Sequence, residues 1–204
     1  MRVLLSVAAL LVTAQLIGGC ARPVEQIRVA PAAAVVGSTP RPGPVGNPLI
    51  GGVAMPVDRR VGAAVAAAPT LTTLSRAVQA AGIATLLDGP GPVTLFAPTD
   101  AAFARLAPGT IDTLLRPENR GALDKLLRLH LVAGRVTSTD LLRRIGTGDR
   151  TLTTLSGETL TLSLTGAIVT LTDAGGDKSY VETADVRLAN GMLHVVNGVL
   201  VPRL

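Results

Sequence analysis

Of 204 residues, 48% are hydrophobic yet only Phe96, Phe103 and Tyr180 are aromatic, so the core must come from Leu, Val, Ile and Ala, and base-stacking recognition of nucleic acid is disfavoured. The single cysteine, Cys20, forbids an intramolecular disulfide and an all-cysteine zinc site, and two histidines, His130 and His194, leave little for a metal centre. The net charge of +5 lies mostly before residue 69: Arg2 and a net +3 over residues 20–68 leave only +1 for residues 69–204, which argues against a DNA-binding face.

Residues 3–19 are apolar apart from Ser6, Thr13 and Gln15. That run is short for a membrane-spanning helix, which needs about 20 apolar residues. One arginine precedes it and Ile17-Gly18-Gly19-Cys20 closes it, the order of a secretory leader. The closing four residues resemble a bacterial lipoprotein lipobox. The resemblance implies cleavage before Cys20, acylation of its sulfur and amine, and residues 1–19 as a lipoprotein signal peptide. Two or three acyl chains hold a soluble domain firmly, since each buried methylene contributes about 0.8 kcal/mol. With Ala21 after the cysteine, the resemblance favours the outer membrane or the periplasmic face of the bacterial envelope.

Residues 20–68 contain seven prolines and six glycines. Segments such as Pro40-Arg41-Pro42-Gly43-Pro44 lack amide donors and favour extended backbone, so this stretch reads as a disordered tether. From residue 69 the pattern changes. Leu71, Leu74, Val78, Ala81 and Ile83 follow helical spacing, with Thr70 or Thr72 as N-cap and Asp88-Gly89-Pro90 as stop. A short buried strand is expected over residues 93–97, then Pro98, then a helix capped by Thr99 or Asp100 and carrying Phe103 and Leu106. Pro117 opens a helix with Leu123, Leu126, Leu127 and His130 on one face, and Thr139-Asp140-Leu141-Leu142 opens another. After Gly148 the period becomes two, with strands expected over 151–155, 158–164, 168–172, 180–184 and 193–201. Helices early and hairpins late make an α+β order, in one domain spanning residues 69–204.

Two segments carry a family resemblance. Thr94-Leu95-Phe96-Ala97-Pro98-Thr99-Asp100-Ala101-Ala102-Phe103 and the closing Ala184-Asp185-Val186 with Asn190-Gly191-Met192-Leu193-His194-Val195-Val196-Asn197-Gly198-Val199-Leu200-Val201-Pro202 resemble the two signatures of the fasciclin (FAS1) domain family. Leu129-His130 lies where that family often has a tyrosine-histidine pair. The resemblance implies a single compact domain, a wedge of β-strands packed with several helices. It also implies adhesion or interaction, with a protein or polysaccharide of the envelope or extracellular space as partner. The integrin-binding activity of animal members is not carried over, because Leu129 replaces the tyrosine. The residues themselves favour structural roles for both signatures: a strand, a proline stop and a capped helix in the first, a turn and a buried strand in the second.

No Gly-x-Ser-x-Gly elbow, His-Glu-x-x-His zinc motif or phosphate-binding Gly-x-x-x-x-Gly-Lys loop occurs, so no catalytic residue, metal ligand or cofactor is assigned and an enzyme is not expected. The site candidates are Cys20 for lipid attachment and Arg128, Leu129, His130 and Arg135 for interaction. Arg128, Arg135, Arg143 and Arg144 form either a basic face for anionic glycans or a solvated surface; the second is favoured. A different class of function also fits the aliphatic interior, namely a carrier holding a small apolar ligand between helices and sheet.

Overall fold

The computed structural model describes residues 46–203. The leader, Cys20 and the first part of the expected tether lie outside them.

Nine strands and seven α-helices follow one another in these residues. A two-residue hairpin, β1 (Leu49–Ile50) and β2 (Val53–Ala54), leads into helix α1 (Val61–Ala67). Then come α2 (Thr72–Ala81), α3 (Ala84–Leu87), β3 (Val93–Pro98), α4 (Asp100–Phe103), α5 (Thr110–Leu114), a 3-10 turn at Pro117–Asn119 and α6 (Arg120–Leu129). Strand β4 (Leu131–Ala133) and helix α7 (Ser138–Thr147) precede the late strands β5 (Thr151–Thr153), β6 (Thr159–Thr165), β7 (Ile168–Thr172), β8 (Lys178–Leu188) and β9 (Gly191–Val196). Seven strands form one sheet in the order β4-β3-β9-β8-β7-β6-β5. Its two ends approach each other, since the Leu155 N–H just beyond β5 donates to the Leu131 carbonyl in β4 at 2.7 Å. The fold is of the expected α+β class, helices packed with one large mixed sheet.

The most deeply enclosed part of the sheet is the pair β3 and β9, every residue of which is buried. They run parallel, with Phe96 opposite His194, whereas every other strand pair among the described residues is antiparallel. Because side chains alternate along a strand, the pair divides the interior into two cores. Val93, Leu95, Ala97, Leu193 and Val195 face a cluster built from α1, α2, α3, α4 and α6. Phe96 and Val196 face the other way, into a cluster with Leu141 and Ile145 of α7 and Leu152, Leu160, Leu162, Val169 and Leu171 of β5 to β7. At Gly191 an added Cβ would sit 2.0 Å from the Val93 carbonyl oxygen, so glycine is what lets β9 begin this close to β3.

The expected tether ends earlier than residue 68. Ile50, Met55, Val61, Ala64, Val65 and Ala68 are all buried in the first core. Val61, Ala64, Val65 and Ala68 stand at i, i+3, i+4 and i+7, the stripe of an amphipathic helix, and small alanines let α1 lie close against α2. A proline- and glycine-rich average conceals this stripe.

Several local expectations are refined. Helix α2 ends at Gly82, in left-handed conformation (φ 76°), rather than at Asp88, which instead follows α3. Neither Thr70 nor Thr72 caps α2; its N-cap is Leu71, and the carboxylate of Asp100 serves the orphan amides of Thr72 (3.3 Å) and Thr73 (2.7 Å). Thr99 caps α4 as expected, accepting from the Ala102 N–H. The final strand stops at Val196, not Val201, because the Asn197 side chain and the Gly198 backbone turn back to bind Tyr180 and Ser179. Helix α7 begins with a reciprocal capping box between Thr137 and Asp140.

Candidate functional site

The fasciclin-like segment from Arg128 to Arg135 runs from the last turn of α6 through β4, the strand at one end of the sheet order. Leu129 and His130 are both fully buried. The His130 Nδ1–H donates to the Leu126 carbonyl at 2.9 Å, and its Nε2 accepts from the Leu200 N–H at 3.1 Å. That pattern needs a neutral ring with one donating and one accepting nitrogen. Burial pushes its pKa down to about 4, against smaller upward pulls from the Leu126 carbonyl and the Asp173 charge. Asp173 is itself committed nearby, accepting from the amides of Gly175, Asp177 and Val201. His130 therefore ties the end of α6 to the segment after β9 and presents no surface to a partner. Leu129 presents none either. For these two residues the expectation of an interaction site is corrected: Leu129, the last residue of α6, packs in the second core, and His130, its C-cap, is closed in by the Leu126 carbonyl and the Leu200 N–H.

The arginines of the same expectation are exposed but engaged. Arg128 pairs with Asp124 one turn earlier at 2.7 Å, Arg143 with Asp140 at 2.8 Å and Arg144 with Asp149 at 2.8 Å. Arg135 donates to the carbonyls of Leu188 (3.0 Å) and Ala189 (3.4 Å). Arg128, Arg143 and Arg144 are each offset by a neighbouring carboxylate, so this is a solvated, internally paired face rather than an open cationic one.

The closing signature is a second set of internal fasteners. His194 is fully buried and stacks on Phe96, with ring centroids 5.3 Å apart. Its Nε2–H donates to the Val136 carbonyl at 2.8 Å, and its Nδ1 accepts from the Asp185 N–H at 3.2 Å. Burial lowers its pKa, partly countered by the Val136 carbonyl and the Asp185 charge. Asp185 takes up a left-handed backbone (φ 61°) at a bulge in β8. From there its carboxylate accepts from the Ser138 N–H at 2.7 Å and from the Ser138 hydroxyl, docking α7 onto the sheet. Asn190 is buried at the turn before β9; its Oδ1 accepts from the Val61 N–H at 3.0 Å and its Nδ2 donates to the carbonyls of Leu87 and Gly89. One side chain thus holds α1, the end of α3 and β9 together.

Asp100 plays the matching part in the first signature. Burial acts to raise its pKa, but hydrogen bonds from Thr73 and Thr72 outweigh it and hold the carboxyl below the usual range. The roles of Asp185 and Asn190 as long-range fasteners have no signal in spacing. Only their type, short polar side chains beside turns, hints at backbone capping.

Strands β7 and β8 pair only between Thr170–Thr172 and Lys178–Tyr180, then diverge. The crevice left there, against α7, is lined by Ser138, Leu141, Ile168, Val169, Val181 and Ala184 among others, and holds about 20 Å³. That is roughly the room for one water and does not admit a small apolar ligand. Among the described residues no group of three or more His, Cys, Asp or Glu is placed to hold a metal ion, and no helix is long and apolar enough to cross a membrane.

Comparison with known proteins follows the same residues. A family model described as Fasciclin domain matches residues 69–202. Protein sll1483 of Synechocystis sp. is 38% identical over 133 residues, covering 65% of this chain and 68% of that protein. Transforming growth factor-beta-induced protein ig-h3 of Sus scrofa is 32% identical over 134 residues, 65% of this chain but only 18% of the relative. Among solved structures, a FAS1 domain pair from the insect cell adhesion molecule fasciclin I superposes with a TM-score of 0.64 at 18% identity, over 71% of this chain and 51% of that one, which establishes likeness of fold.

Proposed function

Because this chain belongs to the fasciclin domain family, whose domains serve cell adhesion and protein interaction, we propose that it is a lipid-anchored module of the bacterial cell envelope that presents its domain to a protein or polysaccharide partner. The observation that carries the reading is the match over residues 69–202, the greater part of the folded unit. The lipobox-like Ile17-Gly18-Gly19-Cys20 supports the anchor, and the proline-rich residues after it support a spacer that holds the domain off the bilayer. The envelope location, on the outer membrane or periplasmic face, follows from the same leader.

The polar residues of both signatures are spent on fastening the fold, so partner recognition falls to the outer surface. Contact surfaces of this kind need only a few exposed anchors, and these vary freely over a fixed scaffold. The carrier alternative is not favoured, since the crevice between α7 and the sheet is too small for a ligand.

Two experiments test the reading. Cells expressing the full chain and fed a labelled fatty acid are expected to incorporate label, and the Cys20→Ser variant to lose it; equal labelling in both contradicts the anchor. Immobilised protein beginning at Gly46, which keeps α1, is then exposed to solubilised envelope proteins and to purified surface glycans at low and high salt. A single saturable partner retained at high salt supports the interaction module. Retention of nothing, with a small molecule co-purifying in native mass spectra, returns the carrier.

A further inference from the structure

The domain has one pole where arginines gather without carboxylate partners, and it is the pole at which residues 1–45 join the fold. Asn47 is clamped there: its Nδ2 donates to the Arg187 and Met55 carbonyls at 2.6 and 2.7 Å, and its Oδ1 accepts from the Arg187 N–H at 2.7 Å. Two residues after Arg187, the Ala189 N–H donates to the Arg59 carbonyl at 2.9 Å, and Arg135 reaches the same turn through the Leu188 and Ala189 carbonyls. Arg60 follows Arg59 and donates to the Asp88 carbonyl. Four arginines thus surround the β8–β9 turn. None of them forms an ion pair among the described residues, unlike Arg128, Arg143 and Arg144. Asp58 and Asp88 are the acidic residues beside them, and both line an open concavity with Arg59 and Arg60; the pole remains net positive.

Aliphatic side chains close in sequence to Asn47 and Arg59 stand in water. Leu49 is 57% exposed and Val57 is 61% exposed, each within a few residues of the Asn47 clamp or of Arg59. Cationic and aliphatic groups on one surface suit the interface of an anionic bilayer, where arginine heads meet phosphates and short apolar side chains enter the headgroup region. A soluble glycan has no use for the aliphatic component. The order of the chain agrees: Cys20, the anchor in that reading, precedes Asn47 by 27 residues.

We propose that the surface formed by Arg59, Arg60, Arg135 and Arg187 with Leu49 and Val57 docks the domain on an anionic phospholipid surface, so that the opposite end faces the partner. The inference rests on the lipid-anchor reading for its setting but makes separate demands.

Mature acylated protein, purified from the membranes of cells that express the full chain, is mixed with phosphatidylglycerol-rich or with phosphatidylcholine vesicles, floated on a gradient, and probed by hydrogen–deuterium exchange. Flotation reports the anchor, and amide protection reports docking. Flotation with both lipids, and protection of residues 47–60 and 187–189 only on the anionic vesicles, is the expected result. Flotation with both lipids and identical exchange overturns the docking while leaving the anchor standing. Flotation with the anionic vesicles alone overturns the anchor and supports docking, and flotation with neither overturns both.

Each arginine changed to serine among Arg59, Arg60 and Arg187 should weaken docking about fivefold, the effect of one basic residue near a charged surface. Leu49→Ser with Val57→Ser removes only exposed side chains and should also reduce the protection. Wild-type protection should fade as salt shortens the screening length from about 10 to about 3 Å between 0.1 and 1 M, a control that needs no variant. Protection that survives high salt and both sets of changes contradicts the proposal. Retention on a polyanionic glycan without any protection on vesicles also contradicts it, and makes the pole a glycan contact.

Discussion

The two faces of the β3–β9 pair are built on different physics. The face toward α1, α2, α3, α4 and α6 is an aliphatic core with Phe103 as its one aromatic. The other face has fewer apolar residues, and His130, His194, Thr94 and Thr170 are fully buried in or beside it. The first core is held by area removed from water, so it tolerates exchange among residues of similar volume. The second depends on specific hydrogen bonds, each made to a single acceptor or donor, and leaving one unmade costs more than making it contributes. The contrast explains why the histidines of a family of interaction domains sit inside this one. They complete backbone groups where strands and helices of unlike direction meet.

The largest effect expected on this contrast comes from Phe96→Ala. It removes the ring that fills the second core and supports His194, and should cost about 3–5 kcal/mol in denaturant unfolding. A volume-matched Leu74→Met in the first core should cost under about 1.5 kcal/mol. Comparable losses at both sites would erase the distinction.

Acid should act on the second face first. His130 has a folded pKa of about 4 against 6.5 when unfolded, so its contribution is whole above pH 6.5 and is lost as the pH falls toward 4. For a fully buried group the loss is on the order of 3 kcal/mol, and His194 shifts the same way and adds to it. The carboxylates act in a lower window. Asp100 and Asp140, both lowered in the folded state, stabilise above pH 3.8 and lose that contribution as the pH falls through their folded values. Urea midpoints collected between pH 7 and 4 should decline for the wild type and decline less for His130→Gln; parallel curves would remove the histidine from the explanation.

Asn190→Ala tests a fastening of the first face, the one that holds α1 and the end of α3 to the start of β9. It strands the Val61 N–H and the Leu87 and Gly89 carbonyls, and should cost about 1–3 kcal/mol, with amide exchange accelerated first in α1. Uniform acceleration across both cores would place the fastening elsewhere. The smallest effect belongs to the outer face. Arg143→Gln breaks an exposed pair and should change thermal stability by less than about 0.5 kcal/mol, while leaving partner retention intact.

Much of this architecture was legible in the chain because the periodic signals are strong. The stripe through Leu123, Leu126 and Leu127, the alternation after Gly148 and the Thr99 cap all appear where residue chemistry places them. Helix α1 has a weak signal in the sequence because alanine contributes little hydrophobic contrast and the surrounding glycines and prolines dominate the average. The parallel pairing of β3 with β9 has no local cause; it comes from the chain between them closing around the core. Of the interaction candidates, Leu129 and His130 carry only a family position as a signal; their burial comes from the second core and from the helix C-cap, on a side of α6 other than the one that Leu126 and Leu127 bury in the first core. Arg128 and Arg135 lie at the surface, and their partners, Asp124 and the Leu188–Ala189 carbonyls, show that exposure alone does not make a site.

The most direct test of the central claim, that both histidines are neutral internal fasteners, is to follow the imidazole resonances of His130 and His194 by NMR as the pH is lowered. The structure predicts that neither titrates near 6.5 in the folded protein, that each keeps one protonated and one accepting ring nitrogen, and that both change only as the fold itself gives way. Reversible titration of either ring near 6.5, with the rest of the spectrum unmoved, would show an accessible histidine and contradict the account.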